Sequence, residues 1–229
     1  MQIDERSFTV GDIPGVLWSP AGASDDRPLV LLCHGGGQHK RAPGVVARAH
    51  HFVTACGFAA AAIDLPGCGD RPKNRADERL RAAIQEGGDV GPLIIRHNAE
   101  LAARAVPEWQ AVLDALGGGP AGFWGMSMGC AVGVPLVAAE PRIEAAVLGL
   151  AGQELAEAAS RIKIPVEFVL KWDDELVPRE SALALFEAFG SADKTLHAYP
   201  GPHQGQLPQE LETSARFFTR HLTQPPPSR

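Results

Sequence analysis

Gly125-Met-Ser-Met-Gly129 sets a serine hydroxyl between two glycines, after an apolar run at 121–124 and before a helical pattern at 127–139. A sharp strand-to-helix turn of this G-x-S-x-G kind strains its central residue and pushes the hydroxyl into solvent, beside the positive end of the helix that follows. Serine attacks an acyl carbon when an imidazole takes its proton and a carboxylate holds that imidazole in the right tautomer. With acid and base following the serine in the chain, His197, His203 and His221 compete for the second role. His197 falls inside a strand pattern, and His221 closes the last helix, where a cation suits the negative dipole end. His203 lies in the irregular stretch Pro200-Gly-Pro-His-Gln-Gly205, just past a strand, and is the choice, because loops on a rigid scaffold carry chemistry.

The acid should end the preceding strand, where Asp173-Asp-Glu-Leu-Val-Pro178 offers three carboxylates. Asp174 is the choice, four before Pro178, and one residue of register separates it from Asp173. An acidic helix-capping loop would look the same. Glu154 is a weaker candidate after the strand at 143–150. Earlier, His34-Gly-Gly-Gly37 follows the apolar run 29–33. Its glycines let a backbone N–H approach a carbonyl oxygen, and the N–H of Gly36 (or Gly37) with that of Met128 would form an oxyanion hole worth about 3 kcal/mol per donor. The loop lacks the Lys-Ser/Thr of a phosphate-binding loop and the G-x-G-x-x-G spacing. His34 itself reads as a structural histidine fixing that loop.

These groups need a scaffold. Apolar runs at 29–33, 58–63, 121–124, 143–150, 164–172 and 194–199 alternate with helical patterns at 43–56, 97–116, 127–139, 180–189 and 208–221. Continuous apolar strands between helices imply a doubly wound α/β fold, a mostly parallel sheet with helices on both faces. Segments 7–10 and 15–18 flank a Gly-Asp-Ile-Pro turn and could pair as a hairpin on the sheet edge. The stretch 66–96 breaks the rhythm, with many charges, several glycines and a helical piece only at 80–84, and reads as a short lid insertion. One domain over 1–224 is expected, with a Pro-rich, disordered tail at 225–229.

The chain has 229 residues, with 21 Lys and Arg against 27 Asp and Glu, a net charge of −6. No basic stripe speaks for nucleic acid. No apolar run approaches the roughly 20 residues of a membrane span, and the charged N-terminus does not resemble a signal peptide. The four cysteines have no CxxC spacing, which suits reduced thiols. A cytoplasmic protein is expected, with no nucleic-acid and no membrane partner; oligomeric state is left open.

Five motifs in order, HGGG at 34–37, AIDLPG at 62–67, GMSMG at 125–129, DELVP at 174–178 and GPH at 201–203, make the span 28–222 resemble the α/β-hydrolase superfamily. The likeness is to its compact dienelactone-hydrolase-like and small bacterial serine esterase branch. The resemblance implies a Ser127, Asp174, His203 triad, hydrolysis of an ester or related acyl bond, no cofactor and no metal. It also gives Asp64 a structural role. Dienelactone hydrolase carries cysteine at the nucleophile, so its substrate does not transfer to Ser127. Cys130 stands where a second glycine is common and reads as helix packing.

The expected function is a serine hydrolase that cleaves a small or medium carboxylic ester, a small-molecule substrate, through an acyl-enzyme. One alternative is a thioesterase or acyltransferase on CoA- or carrier-bound acyl groups. The other is a non-catalytic small-molecule binder of the same fold. The shortness and polarity of the 66–96 segment favour an open cleft. Arg71, Arg75, Arg79 and Arg81 could meet an anionic group there, though a solvated helix face is the better explanation of them.

Overall fold

The structure is a computed structural model and describes residues 1–22, 24, 26–73, 75–87, 90–205 and 208–223. The tail at 225–229, read above as disordered, lies outside the described residues, as do 74, 88 and 89 of the expected lid. The apolar runs become strands Leu29–Cys33 (β3), Ala59–Ile63 (β4), Ala121–Met126 (β5), Ile143–Gly149 (β6), Val166–Lys171 (β7) and Lys194–Tyr199 (β8), preceded by Ile3–Val10 (β1) and Ile13–Pro20 (β2). They form an eight-stranded sheet of order β1-β2-β4-β3-β5-β6-β7-β8. β1 pairs with β2, and β2 with β4, antiparallel; the other neighbours run parallel. The doubly wound α/β class is therefore observed.

Helices cover both faces. Pro43–His51 (α1) and Pro208–Leu222 (α7) bury Val45, Ala49, Ala215 and Phe218 against Val30, Leu32, Trp124 and Val169. On the other face Gly91–Leu116 (α3), Met128–Ala139 (α4), the short Ala156–Ala159 (α5) and Arg179–Ala188 (α6) pack Trp109, Val132, Leu136 and Leu185 on Leu31, Phe123, Leu148 and Phe168. A strand covered on both sides gains nothing from a polar residue on either face. This is why β3 and β4 are buried from end to end.

The chain order β4-β3-β5 reverses direction at β3, and Cys33 and Gly125 pair at the ends of β3 and β5. A crevice opens at such a switch point, beyond the carboxyl ends of the strands. The loops carrying HGGG and GMSMG leave the sheet there, side by side.

Several boundaries differ from the sequence reading. The edge hairpin is longer, because β1 and β2 pair over all eight residues of each. The helix expected over 43–56 is α-helical only to His51 and continues as a π-helical turn, Phe52–Cys56, that ends on left-handed Gly57. The 66–96 segment holds a full helix, Arg75–Glu86 (α2), instead of a piece at 80–84, and α3 starts at Gly91, six residues earlier than expected. None of the α2 residues is buried, and its few apolar residues, including Leu80, Ala83 and Ile84, stand among charges that hid its full length.

Candidate functional site

Ser127 sits between β5 and α4 with φ 57° and ψ −121°, a conformation L residues avoid at a cost of about 1–3 kcal/mol. The flanking glycines make this bend possible. A Cβ on Gly125 would lie 2.5 Å from the Gly129 carbonyl oxygen, and one on Gly129 would lie 2.4 Å from the Cys33 carbonyl oxygen. Both distances are below any real contact, so the turn closes only with glycine at both places. The Ser127 N–H donates to the Gly149 carbonyl at 2.9 Å, which fixes the bend to β6. Met128 opens α4, so its N–H belongs to the group that a helix leaves without an internal partner.

The His203 imidazole bridges the two other groups singled out from sequence. Its Nε2 lies 2.9 Å from Ser127 Oγ and its Nδ1 2.8 Å from Asp174 Oδ2. Asp174 Oδ1 accepts the N–H groups of Leu176 and Val177 at 2.8 and 2.9 Å, so the carboxylate is held from behind. The neighbouring acids hold the same loop elsewhere. Asp173 Oδ2 accepts the Gly201 N–H at 3.1 Å, and Glu175 Oε2 accepts the His203 N–H at 2.9 Å. That backbone donor holds the Glu175 carboxyl below its ordinary range. Three consecutive carboxylates therefore grip three different atoms of one loop, an arrangement that sequence reasoning treated as a competition.

The other candidates lie apart from this chain of contacts. His197 is on β8, with Nε2 3.4 Å from Glu167, and burial lowers its pKa. His221, on α7, faces Asp193 at 3.9 Å, and burial lowers its pKa too. Glu154 accepts the N–H of Gly152 and lines the cavity without reaching the imidazole.

Behind the glycine loop lies a buried support. His34 Nδ1 is 3.0 Å from the Gly35 carbonyl, which makes Nδ1 the protonated nitrogen and leaves Nε2 to accept the Leu65 N–H at 3.3 Å. Burial lowers the His34 pKa, which keeps that tautomer neutral. Asp64, fully buried, takes the Lys40 ammonium at 2.6 Å and the backbone N–H groups of Lys40 and Asp70 at 2.8 and 2.9 Å. Burial raises its pKa and these donors lower it further, so the net shift is down. Lys40 is the residue missed from sequence; nothing in its local pattern separates it from a surface lysine.

A cavity of about 1370 Å³ opens over Ser127, larger than the roughly 300–1,000 Å³ of an ordinary ligand pocket. Gly36, Gly37, Met128 and His203 line it near the serine. Leu80 and Ile84 of α2 and Ile94 and Ile95 of α3 form a wall. The segment expected to be polar thus turns an apolar side inward. Arg81 and Lys73 reach the cavity, while Arg71 is engaged by Glu108 at 2.5 Å and by Asp12 at 3.8 Å. Leu150 also lines the cavity, at a positive φ of 55° that sequence did not announce. Cys130 is buried, and burial pushes its thiol up to about 12, as packing alone requires. Among the described residues no cluster of His, Cys, Asp or Glu could hold a metal ion, and no helix is long and apolar enough to cross a membrane.

The chain belongs to the alpha/beta hydrolase family, whose profile matches residues 30–228. Among solved structures, it is similar to a cold-adapted esterase from an Arctic intertidal metagenomic library, in its PEG-bound complex. Identity is 36%, over 97% of this chain and 94% of that one, and the TM-score is 0.79. Est1E from Butyrivibrio proteoclasticus, with ferulic acid bound, shares the fold at 16% identity and TM-score 0.73, over 96% of this chain and all of its own. Dienelactone hydrolase from Anabaena variabilis does so at 20% identity and TM-score 0.65, over 96% of this chain and 98% of its own. No curated protein matches the chain.

Proposed function

We propose that the protein is a serine hydrolase that cleaves small or medium carboxylic esters through an acyl-enzyme. The observation that carries this reading is the hydrogen-bond chain from Ser127 Oγ to His203 Nε2 at 2.9 Å and from His203 Nδ1 to Asp174 Oδ2 at 2.8 Å. Its likeness to a cold-adapted esterase at 36% identity supports the ester as substrate class.

In this reading His203 Nε2 takes the Ser127 proton as Oγ bonds to the carbonyl carbon. The N–H groups of Gly36 and Met128 stabilise the oxyanion. His203 then gives the proton to the departing alcohol, and the ester bond breaks. Water repeats the sequence on the acyl-enzyme and releases the acid. Asp174 holds the Nδ1–H tautomer throughout. The apolar wall of Leu80, Ile84, Ile94 and Ile95 favours the medium members of the substrate range.

A thioester reading has one supporting observation, the cations Lys73 and Arg81 on the cavity wall, where a phosphate could be met. The test is labelling by a fluorophosphonate probe, followed by rates on p-nitrophenyl butyrate and butyryl-CoA. Labelling of the wild type and none of Ser127→Ala is expected, with faster turnover of the ester. Equal labelling of both proteins would overturn the proposal, and preference for the CoA ester would move it to the thioester class.

A further inference from the structure

The three groups Ser127, Asp174 and His203 come from three different strand ends, which the backbone ladder pairs with one another but does not tie to the helices that cover the sheet. On the α1/α7 side of the sheet, a group of charged and aromatic side chains lies one short step upstream of each. Trp124 stands three residues before Ser127, Lys171 three before Asp174, and Tyr199 four before His203. The Arg48 guanidinium of α1 lies 3.8 Å from the centre of the Trp124 ring. The Lys171 ammonium pairs with Glu210 in the first turn of α7 and lies 5.5 Å from the centre of the Tyr199 ring. Glu210 also faces Arg48 at 4.0 Å, and Tyr199 shares a hydrogen bond with Thr213 of α7 at 2.9 Å.

These charges are not on the surface. Lys171 is 3% exposed, and the Arg48 and Glu210 side chains are nearly as well covered. Burying charge this deeply costs several kcal/mol per ion unless geometry repays it, and an apolar packing of the same volume is often at least as stable. A buried ionic cluster is therefore weak as a stability device. Its defining property is directional: a carboxylate between two cations fixes where each may sit.

We propose that Glu210, Arg48 and Lys171 are positioning residues, which lock β5, β7 and β8 against α7 so that Ser127, Asp174 and His203 stay within hydrogen-bond reach. This rests on the serine hydrolase reading above. None of the three touches the cavity over Ser127. They act through the strands, and a displacement of about 1 Å at a reacting group is enough to cost about a hundredfold in rate.

The test is Glu210→Gln in the full chain, assayed on p-nitrophenyl butyrate across pH, with Glu140→Gln as the comparison. Glu140 is more deeply buried than Glu210 and is paired with Arg142 at 2.7 Å, at the far end of α4 from Ser127. For Glu210→Gln, kcat is expected to fall by about tenfold or more with KM nearly unchanged. The acidic limb of its pH profile should move to lower pH, because a displaced Asp174 stabilises the charged imidazole less. Glu140→Gln, compared at equal loss of thermal stability, should keep its kcat and its limb. If Glu210→Gln does not fold, Arg48→Lys, which keeps the charge and loses the flat guanidinium on Trp124, carries the same expectations at smaller size. Unchanged kcat and limb in the Glu210 or Arg48 variant would overturn the proposal, and so would an equal loss in Glu140→Gln. Ser127→Ala separates the two levels: if it still hydrolyses the ester, the reading of the site fails, whereas if it is inactive and Glu210→Gln behaves as wild type, only the positioning proposal fails.

Discussion

Replacing Asp174 by asparagine removes one charge and leaves the shape, and the hydrogen bonds around it dictate which way the new amide points. Oδ1 accepts two backbone N–H groups, from Leu176 at 2.8 Å and Val177 at 2.9 Å. Those donors require an oxygen, so the amide NH2 must take the place of Oδ2 and face His203 Nδ1, 2.8 Å away. An NH2 there donates to Nδ1 and forces the proton onto Nε2, which then donates towards Ser127 Oγ instead of accepting from it. The base is lost through its tautomer. Flipping the amide to rescue the base would sacrifice two hydrogen bonds and set NH2 against two N–H donors. At about 1–1.5 kcal/mol per bond, the flipped form is disfavoured by roughly 30- to 150-fold, which sets the smallest loss. The loss seen when the equivalent acid is replaced in a Ser-His-Asp protease, about 10⁴ in kcat, sets the largest.

Asp173→Asn is the matched control. Its carboxylate accepts the Gly201 N–H from an exposed position, and an amide oxygen does that equally well, so its rate should stay within a few-fold of wild type. The assay is kcat and KM on p-nitrophenyl butyrate at pH 7–8, with unfolding curves to show that both variants are folded. Should Asp174→Asn keep more than about a tenth of the wild-type rate, or Asp173→Asn lose more than Asp174→Asn, the tautomer argument and the choice of Asp174 are both wrong.

Three other outcomes are open to measurement. Burial raises Glu167 to about 7, against an ordinary 4.5; a carboxyl whose folded pKa is raised stabilises fully below its unfolded value and loses that contribution as pH rises towards 7. Glu167→Gln should therefore flatten the decline in stability between about pH 4.5 and 7 and raise stability above it by at most roughly 3 kcal/mol, read by urea unfolding across pH; an unchanged slope would refute this. Gly129→Ala puts a methyl 2.4 Å from the Cys33 carbonyl oxygen, so unfolding free energy should fall by about 1–3 kcal/mol or more, read as a lower Tm, and fluorophosphonate labelling should slow; a stable, reactive variant would show that the bend can relax. On p-nitrophenyl esters, rates should rise from acetate to hexanoate, and Leu80→Ser with Ile84→Ser should erase that rise by removing the apolar wall; a maximum at palmitate in the wild type would contradict the size range.

Much of the architecture could be read from residue order because the central strands are buried on both faces and therefore nearly free of polar residues, as in Leu29–Cys33 and Ala59–Ile63. The bend at Ser127 was legible for a steric reason: two glycines at fixed spacing are what a crowded turn needs. What stayed hidden depended on long-range partners. Lys40 became distinctive only when Asp64, 24 residues away, was folded over it. The inward side of α2 was masked because Leu80, Ala83 and Ile84 are diluted among charges, and the helix buries none of its residues. The choice between Asp173 and Asp174 turned on one residue of register at the end of β7, a quantity fixed by pairing with β8 and not by local pattern.

The antiparallel hairpin β1–β2 has a bearing on association as well as on architecture. An open strand edge is a template on which a second molecule can add its own backbone, and charge is the usual deterrent. β1, the outermost strand on that side, offers Asp4, Glu5 and Arg6 to any such intruder. The strand shielded behind the hairpin, Ala-Ala-Ala-Ala-Ile at 59–63, has no charge at all. With the hairpin peeled away, that uncharged edge would lie open to backbone pairing by a neighbouring molecule.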